Sequence, residues 1–180
     1  MKKIFIIFSA ILLTIEIFAQ SHRIKFEHIS LEQGLSQSSV KSIVQDSHGF
    51  MWFATIDGLN KYDGYRIKVY EYKNNQKNSI SDNVLSVVYE SNEGNVKHTF
   101  WVGTAGNGLC RYNNIHDNFT TFKNDPKNQN SLSNNNITAI YGKNNFLWVG
   151  TSDGLNKLDV NQSIWKIFKS PTETKNANIT

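Results

Sequence analysis

A stretch of twelve residues that occurs three times constrains this chain more than any other feature. Trp52-Phe53-Ala54-Thr55-Ile56-Asp57-Gly58-Leu59-Asn60-Lys61-Tyr62-Asp63 returns as Trp101-Val102-Gly103-Thr104-Ala105-Gly106-Asn107-Gly108-Leu109-Cys110-Arg111-Tyr112. It returns again as Trp148-Val149-Gly150-Thr151-Ser152-Asp153-Gly154-Leu155-Asn156-Lys157-Leu158-Asp159, with the tryptophans 49 and then 47 residues apart. Each copy reads as a hairpin. An aromatic and β-branched run such as Phe50 to Thr55 suits a strand. Asp57-Gly58, Gly106-Asn107-Gly108 and Asp153-Gly154 supply residues that tolerate positive φ in the turn. The second copy carries one extra turn residue, and blade-like copy one has Phe53-Ala54 where the others have Val-Gly.

The flanks repeat as well. A polar lead-in and an apolar run precede each tryptophan: Gly34 to Asp46, Ile80 to Glu90 and Leu132 to Tyr141. A further β-like run follows each hairpin: Tyr65 to Tyr70, Phe119 to Phe122 and Ile164 to Phe168. The mostly apolar lead-in runs suggest strands buried on both faces, and the alternation in Tyr65 to Tyr70 suggests a half-exposed outer strand. Four strands per unit at a period in the forties is the signature of a β-propeller. The expected fold is therefore all-β, with blades of four antiparallel strands at 34–78, 79–130 and 131–170. The conserved-looking positions within the repeat, Trp52, Thr55, Gly58 and Leu59, then Trp101, Gly103, Thr104, Gly108 and Leu109, then Trp148, Gly150, Thr151, Gly154 and Leu155, read as structural positions of the blade. Residues 20–33 hold Ile24 to Ile29, expected as one short strand that closes a ring against a last blade. Residues 171–180 end in Asn176-Ala177-Asn178-Ile179-Thr180, which aligns with Asn134 to Thr138 and is expected to begin a fourth blade. Propellers have about four to eight blades, so three units imply an open or incomplete ring. Its isolated 20–180 product is expected to associate and to bind ligand weakly.

Residues 1–19 have the pattern of a cleavable signal peptide. Lys2 and Lys3 precede the apolar run Ile4 to Ile15, which is short for a membrane span, and Ala19 offers a cleavage site. An N-terminal anchor is the competing reading, opposed by Glu16 and the short span. Cleavage takes the net charge from +4 to +3, and no membrane insertion is expected of the mature chain. The lysines are scattered among asparagines, which favours a solvated surface over a nucleic-acid patch.

No residue set announces catalysis. His22, His28, His48, His98 and His116 show no metal-ligand spacing. Asp57, Asp63, Asp153 and Asp159 stand beside turns, where turn geometry explains them better than paired acid–base work. Cys110 stands where the other copies have Asn60 and Asn156, and as the only cysteine it forms no internal disulfide. Trp52, Trp101 and Trp148 invite a sugar-stacking role, but a repeated strand position argues for packing between blades. Trp165 lies on an outer strand and is a weaker candidate for either. The sequons at Asn118, Asn136 and Asn178 read as coincidence in an asparagine-rich chain. No cofactor, no metal and no enzymatic activity are expected.

The Leu-Ser-Asx-Asx lead-in followed by Trp-Val-Gly-Thr and Gly-Leu, as in Leu132-Ser133-Asn134-Asn135 with Trp148 to Leu155, resembles the two-component regulator propeller repeat, over about residues 24–180. The resemblance implies an extracytoplasmic, periplasmic sensor module of a hybrid two-component system that responds to oligosaccharides, with no transmitter in this chain. It implies two kinds of partner, an oligosaccharide and the remaining blades or the rest of a sensor kinase. A stand-alone exported propeller that binds or scaffolds is the alternative. The ligand-binding residues are not readable from the repeat.

Overall fold

The computed structural model describes residues 24–92 and 97–169. The expected signal peptide and the expected start of a fourth blade lie outside them. Among the described residues, twelve strands form three separate antiparallel sheets of four, each a meander in chain order. Blade 1 comprises β1 (Val40–Gln45), β2 (Met51–Thr55), β3 (Leu59–Tyr62) and β4 (Ile67–Tyr70). Blade 2 comprises β5 (Leu85–Ser91), β6 (Thr99–Thr104), β7 (Leu109–Asn113) and β8 (Asn118–Phe122). Blade 3 comprises β9 (Ile137–Lys143), β10 (Phe146–Thr151), β11 (Gly154–Asp159) and β12 (Ile164–Phe168). The fold is therefore the all-β one expected, with three blades.

Successive blades pack face to face. β5 lies against β1 and β2, and β9 lies against β5 and β6. One apolar cluster fills the first seam, with Trp52, Leu59, Ile80, Leu85, Phe100 and Val102 among its buried members. A second fills the next, around Trp101, Leu109, Leu132, Ile137, Leu147 and Trp165. The same positions recur because each blade covers the tryptophan of the one before it.

The lead-in motif has a physical role in this stacking. Its first residue, Leu35, Ile80 or Leu132, is buried. The serine after it latches onto β3 or its equivalent: Ser36 N donates to Asn60 Oδ1 at 2.8 Å, and Ser133 N to Asn156 Oδ1 at 2.8 Å. Each asparagine amide returns a bond to the serine hydroxyl, at 2.8 and 2.9 Å. In blade 2 this asparagine is Cys110, whose Sγ lies 3.1 Å from Ser81 Oγ, a weaker version of the same latch. The fourth lead-in residue reaches the preceding blade. The carbonyls of Asn83 and Asn135 accept from the turn amides of Gly58 and Gly108 at 2.8 and 2.9 Å.

Two expectations change. Residues 24–30 form no strand, and Ile24 and Phe26 are 80% and 89% exposed. An extended segment becomes a strand only beside another strand, and none of the described strands lies beside this one. A 3₁₀ turn, Leu31–Gln33, follows it, capped by Ser30 and ended by Gly34 at φ 100°. The inner strands also differ in burial: β5 has no exposed residue on either face, whereas β1 and β9 each carry exposed positions. Exposure alternates along β1, and Ile43 is 55% exposed. Blade 2 has a neighbour against each face, whereas blades 1 and 3 each keep one face that no described blade covers.

Candidate functional site

Antiparallel order puts the β1–β2 and β3–β4 turns, and their counterparts in the other blades, at one end of the stack. The β2–β3-type turns and the links between blades emerge at the other. The repeat positions build that second end. Thr55, Thr104 and Thr151 each turn a hydroxyl to the carbonyl of the turn glycine, Gly58, Gly108 or Gly154, at 2.8, 2.8 and 3.0 Å. These glycines sit at φ 96°, 90° and 130°, as the turn chemistry requires. Leu59 and Leu109 are buried behind them, whereas Leu155 is 42% exposed. Gly103 lies where a Cβ would come within 2.7 Å of Ile137 in blade 3, so it also permits close blade approach. At Gly150 the nearest atoms belong to its own inner strand, with Thr138 Oγ1 3.0 Å from a would-be Cβ.

The other end, at the seam of blades 1 and 2, carries two cavities, and a third, of about 200 Å³, lies along β4 and the link to blade 2, lined by Tyr70, Lys73, Gln76, Ser79 and Phe119 among others. The ladder pairs each tryptophan with a cation: Trp52 with Lys61, Trp101 with Arg111 and Trp148 with Lys157. Neighbouring strand partners on one face interact directly. Lys61 Nζ accordingly lies 4.0 Å from the Phe50 ring centre and 4.9 Å from that of Trp52. Blade 2 closes over Trp52 with Phe100 stacked at 4.4 Å and Tyr112 edge-on at 5.2 Å. In front of this aromatic group is a cavity of about 230 Å³, reached by Asp46, His48, Glu90 and His98. A second, of about 430 Å³, shares Phe50 and Lys61 with it and extends along blade 1 past Asp63, Arg66, Ile67 and Lys68.

The carboxylates of the smaller cavity are already held. Asp46 Oδ1 accepts from the amides of His48 and Phe50, at 3.0 and 2.9 Å, and Oδ2 from Trp52 Nε1 at 2.7 Å. Glu90, in blade 2, accepts from Ser47 N and Oγ of blade 1 at 2.8 and 2.7 Å. Its side chain is 6% exposed, with His98 Nδ1 at 3.7 Å. The fold brings His48 and His98, fifty positions apart, to a ring separation of 6.0 Å. Among the described residues, no group of three or more His, Cys, Asp or Glu is placed to hold a metal ion.

A polar clasp ties the outer edges of the two blades beside these cavities. Asp117, in the β7–β8 turn, is ion-paired with Lys68 of β4. Its Oδ1 accepts from the Tyr70 and Tyr112 hydroxyls, each at 2.7 Å. Burial opposes the charge on Asp117, but the Lys68 ammonium and the two phenols outweigh it and bring the carboxyl down to about 2 from 3.8. Burial, together with the neighbouring Asp117, raises Tyr112 from 10.0 to about 12 and pushes Tyr70 up further. The signs define a pH window. The Asp117 contribution is complete above pH 3.8 and is lost as pH falls toward 2, while the phenol contribution is complete below pH 10 and is lost as pH rises toward 12. Urea midpoints measured across pH should therefore fall less steeply at the acid end for Asp117→Asn than for the unaltered chain. Tyr112→Phe should shallow the alkaline arm. Parallel pH profiles for variants and parent would show that the clasp does not couple the blades.

Sequence reasoning located the repeat positions and missed Phe50, Lys61, Arg66 and Lys68. The available signal was the alternation of cations with apolar residues through β3 and β4, which places Lys61 and Lys68 on one face of the sheet. Trp148 departs from the packing expectation. Trp52 and Trp101 are 1% and 0% exposed. Trp148, with Lys157 and Phe168 beside it, lies on the face of blade 3 that no described blade covers, and is only partly buried.

The comparisons agree with this architecture. Residues 34–57 and 131–153 match the family model described as two component regulator propeller. A stretch of 78 residues is 45% identical to histidine kinase P4 of Formosa agariphila, covering 42% of this chain and 6% of the relative. The extracellular domain named as that of hybrid two component system BT3049 from B. thetaiotaomicron superposes with a TM-score of 0.73 at 34% identity, over 79% of this chain and 20% of that one. The extracellular domain of BT4673 from the same organism shares the fold at 21% identity, with a TM-score of 0.60 over 77% of this chain and 19% of its own length. The chain thus spans about a fifth of the solved structures it matches. Among the described residues, no helix is long and apolar enough to cross a membrane.

Proposed function

We propose, on the premise that this chain is built of two component regulator propeller repeats, that it is a ligand-sensing piece of an extracellular two-component sensor and that its ligand is an oligosaccharide. The observation that carries the reading is the 0.73 superposition, at 34% identity, on the extracellular domain of a hybrid two component system. The aromatic seam fits a sugar: Phe50, Lys61 and Asn114 offer a ring face and polar groups at the mouth of one cavity. Concave sites that mix aromatic surface with a few polar groups are the usual form of a small-ligand site. The open face around Trp148 awaits a further blade, because blades 2 and 3 cover Trp52 and Trp101 in the same geometry. The transmitter then lies in another part of the receptor.

Ligand-observed NMR tests the reading, since it registers weak binding. The full chain should give saturation transfer to at least one oligosaccharide in a panel of neutral and acidic ones, and Phe50→Ala should reduce it at least tenfold. Silence across the panel would overturn the glycan reading. The proposed export rests on Lys2, Lys3 and the apolar run Ile4 to Ile15. Cell fractionation with N-terminal sequencing should find an exported product beginning near Gln20, and a cytoplasmic product retaining Met1 would refute it.

A further inference from the structure

Three of the six residues that line the larger cavity are cations. Lys61, Arg66 and Lys68 line it with Phe50 and Ile67, against one carboxylate, Asp63. That carboxylate is turned to the backbone: it accepts from the amides of Tyr65 and Arg66 at 2.8 and 2.6 Å. The amide bonds and the neighbouring Arg66 charge hold Asp63 below its ordinary pKa, so it stays charged and engaged. The cations are held differently. Lys61 is seated over the Phe50 ring at 4.0 Å, Lys68 is drawn toward Asp117 across the seam, and the Arg66 side chain is exposed on the β3–β4 turn. Two cations thus flank an aromatic face in a groove of about 430 Å³, the size range of a site for a small ligand.

We propose that this groove binds an acidic residue of the oligosaccharide, its carboxylate or sulfate held by Arg66 and Lys61 and its ring lying along Phe50. The proposal rests on the glycan-sensing reading above. A guanidinium presents a planar fork that matches a carboxylate or sulfate in two parallel bonds. Lys61 is already partly withdrawn from water by Phe50 and Trp52, so a sugar covering it must bring a counter-charge; a neutral sugar would bury the ammonium uncompensated. Phe50 bridges the two cavities, so a chain of sugars entering along blade 1 continues toward Asn114 in the seam.

The test is a ligand-observed NMR titration of the full chain with uronate, sulfated and neutral oligosaccharides of equal length, and with a single-stranded DNA oligonucleotide. One acidic class should bind at least tenfold more tightly than the neutral sugar. Arg66→Gln should remove that advantage, while Phe50→Leu should weaken the binding of acidic and neutral sugars alike. Arg66 is exposed, so its variant keeps the fold, which circular dichroism verifies. Neutral and acidic sugars binding alike, with Arg66→Gln silent, would leave the glycan reading standing and overturn the acidic-sugar proposal. Equal binding of DNA, lost equally in Arg66→Gln, would reduce the groove to a general polyanion patch. No retention of any sugar would overturn both.

Discussion

Trp101→Ala is expected to destabilise the chain by about 3–5 kcal/mol, the usual cost of deleting a large aromatic side chain from a packed core. Trp101 is 0% exposed and sits in the cluster that joins blades 2 and 3, near Leu109, Ile137 and Leu147. Phe122 lies 5.9 Å from it and Trp165 lies 6.1 Å beyond Phe122, so the indole is the base of an aromatic chain across the seam. Its removal leaves a cavity between two sheets that touch mainly through side chains. Trp148→Ala is the matched control. The same repeat position is only partly buried there, and the cost in this chain should stay near 1 kcal/mol, within the range of partly exposed substitutions. Urea midpoints followed by circular dichroism separate the two. Trp101→Ala with an unchanged midpoint and abolished glycan binding would return the tryptophan to a sugar-stacking role. The indole nitrogens differ as well: Trp52 Nε1 donates to Asp46, whereas Trp101 Nε1 has no hydrogen-bond partner among the described residues. Trp101→Phe should therefore be the milder of the two Phe substitutions, since it removes a buried donor left unsatisfied.

Gly108→Ala should cost about 2–6 kcal/mol, for two separate reasons. Gly108 has φ 90°, a region that L side chains enter at roughly 1–3 kcal/mol. A Cβ there would lie 2.2 Å from the Phe122 carbonyl oxygen, inside contact distance of backbone that belongs to the β8 ladder. Relieving that overlap means shifting the end of β7 from β8, at about the 1–3 kcal/mol typical of overpacking. The shift also strains the bond from the Gly108 amide to Asn135 of blade 3, so the effect spreads to the next blade. Gly106, two residues earlier in the same turn, has nothing within 4 Å of a would-be Cβ. Gly106→Ala should stay within about 0.5 kcal/mol. Equal midpoints for Gly106→Ala and Gly108→Ala would show that the turn relaxes freely and that the glycine is not required by contact. The same crowding recurs at Gly58 and Gly154, where the carbonyls of Tyr70 and Phe168 stand 2.8 and 2.7 Å away. The repeated glycine therefore serves both its backbone angle and the close approach of the outer strand.

By itself the sequence determined the blade. A hairpin signal is local: turn residues and strand formers lie next to one another, and three copies of the same signal set the strand order, the period and the all-β class. Ser133 and Asn156 repeat Ser36 and Asn60 in the sequence, but that each pair bonds to form a latch is visible only in the structure. What a residue meets across a seam is not local. Trp52, Trp101 and Trp148 look alike in sequence, yet the first two are buried and the third is not, since burial depends on whether another blade stands against the face. Ile24 to Ile29 has the composition of a strand and lacks the ladder partner that would make it one. His48 with His98, Ser47 with Glu90, and Tyr70 with Asp117 are brought together only by stacking one sheet on the next. The cavities at that seam, with Lys61 and Arg66 beside Phe50, exist for the same reason: the repeat specifies each sheet, and the packing of unlike turns from neighbouring sheets decides the surface a ligand meets.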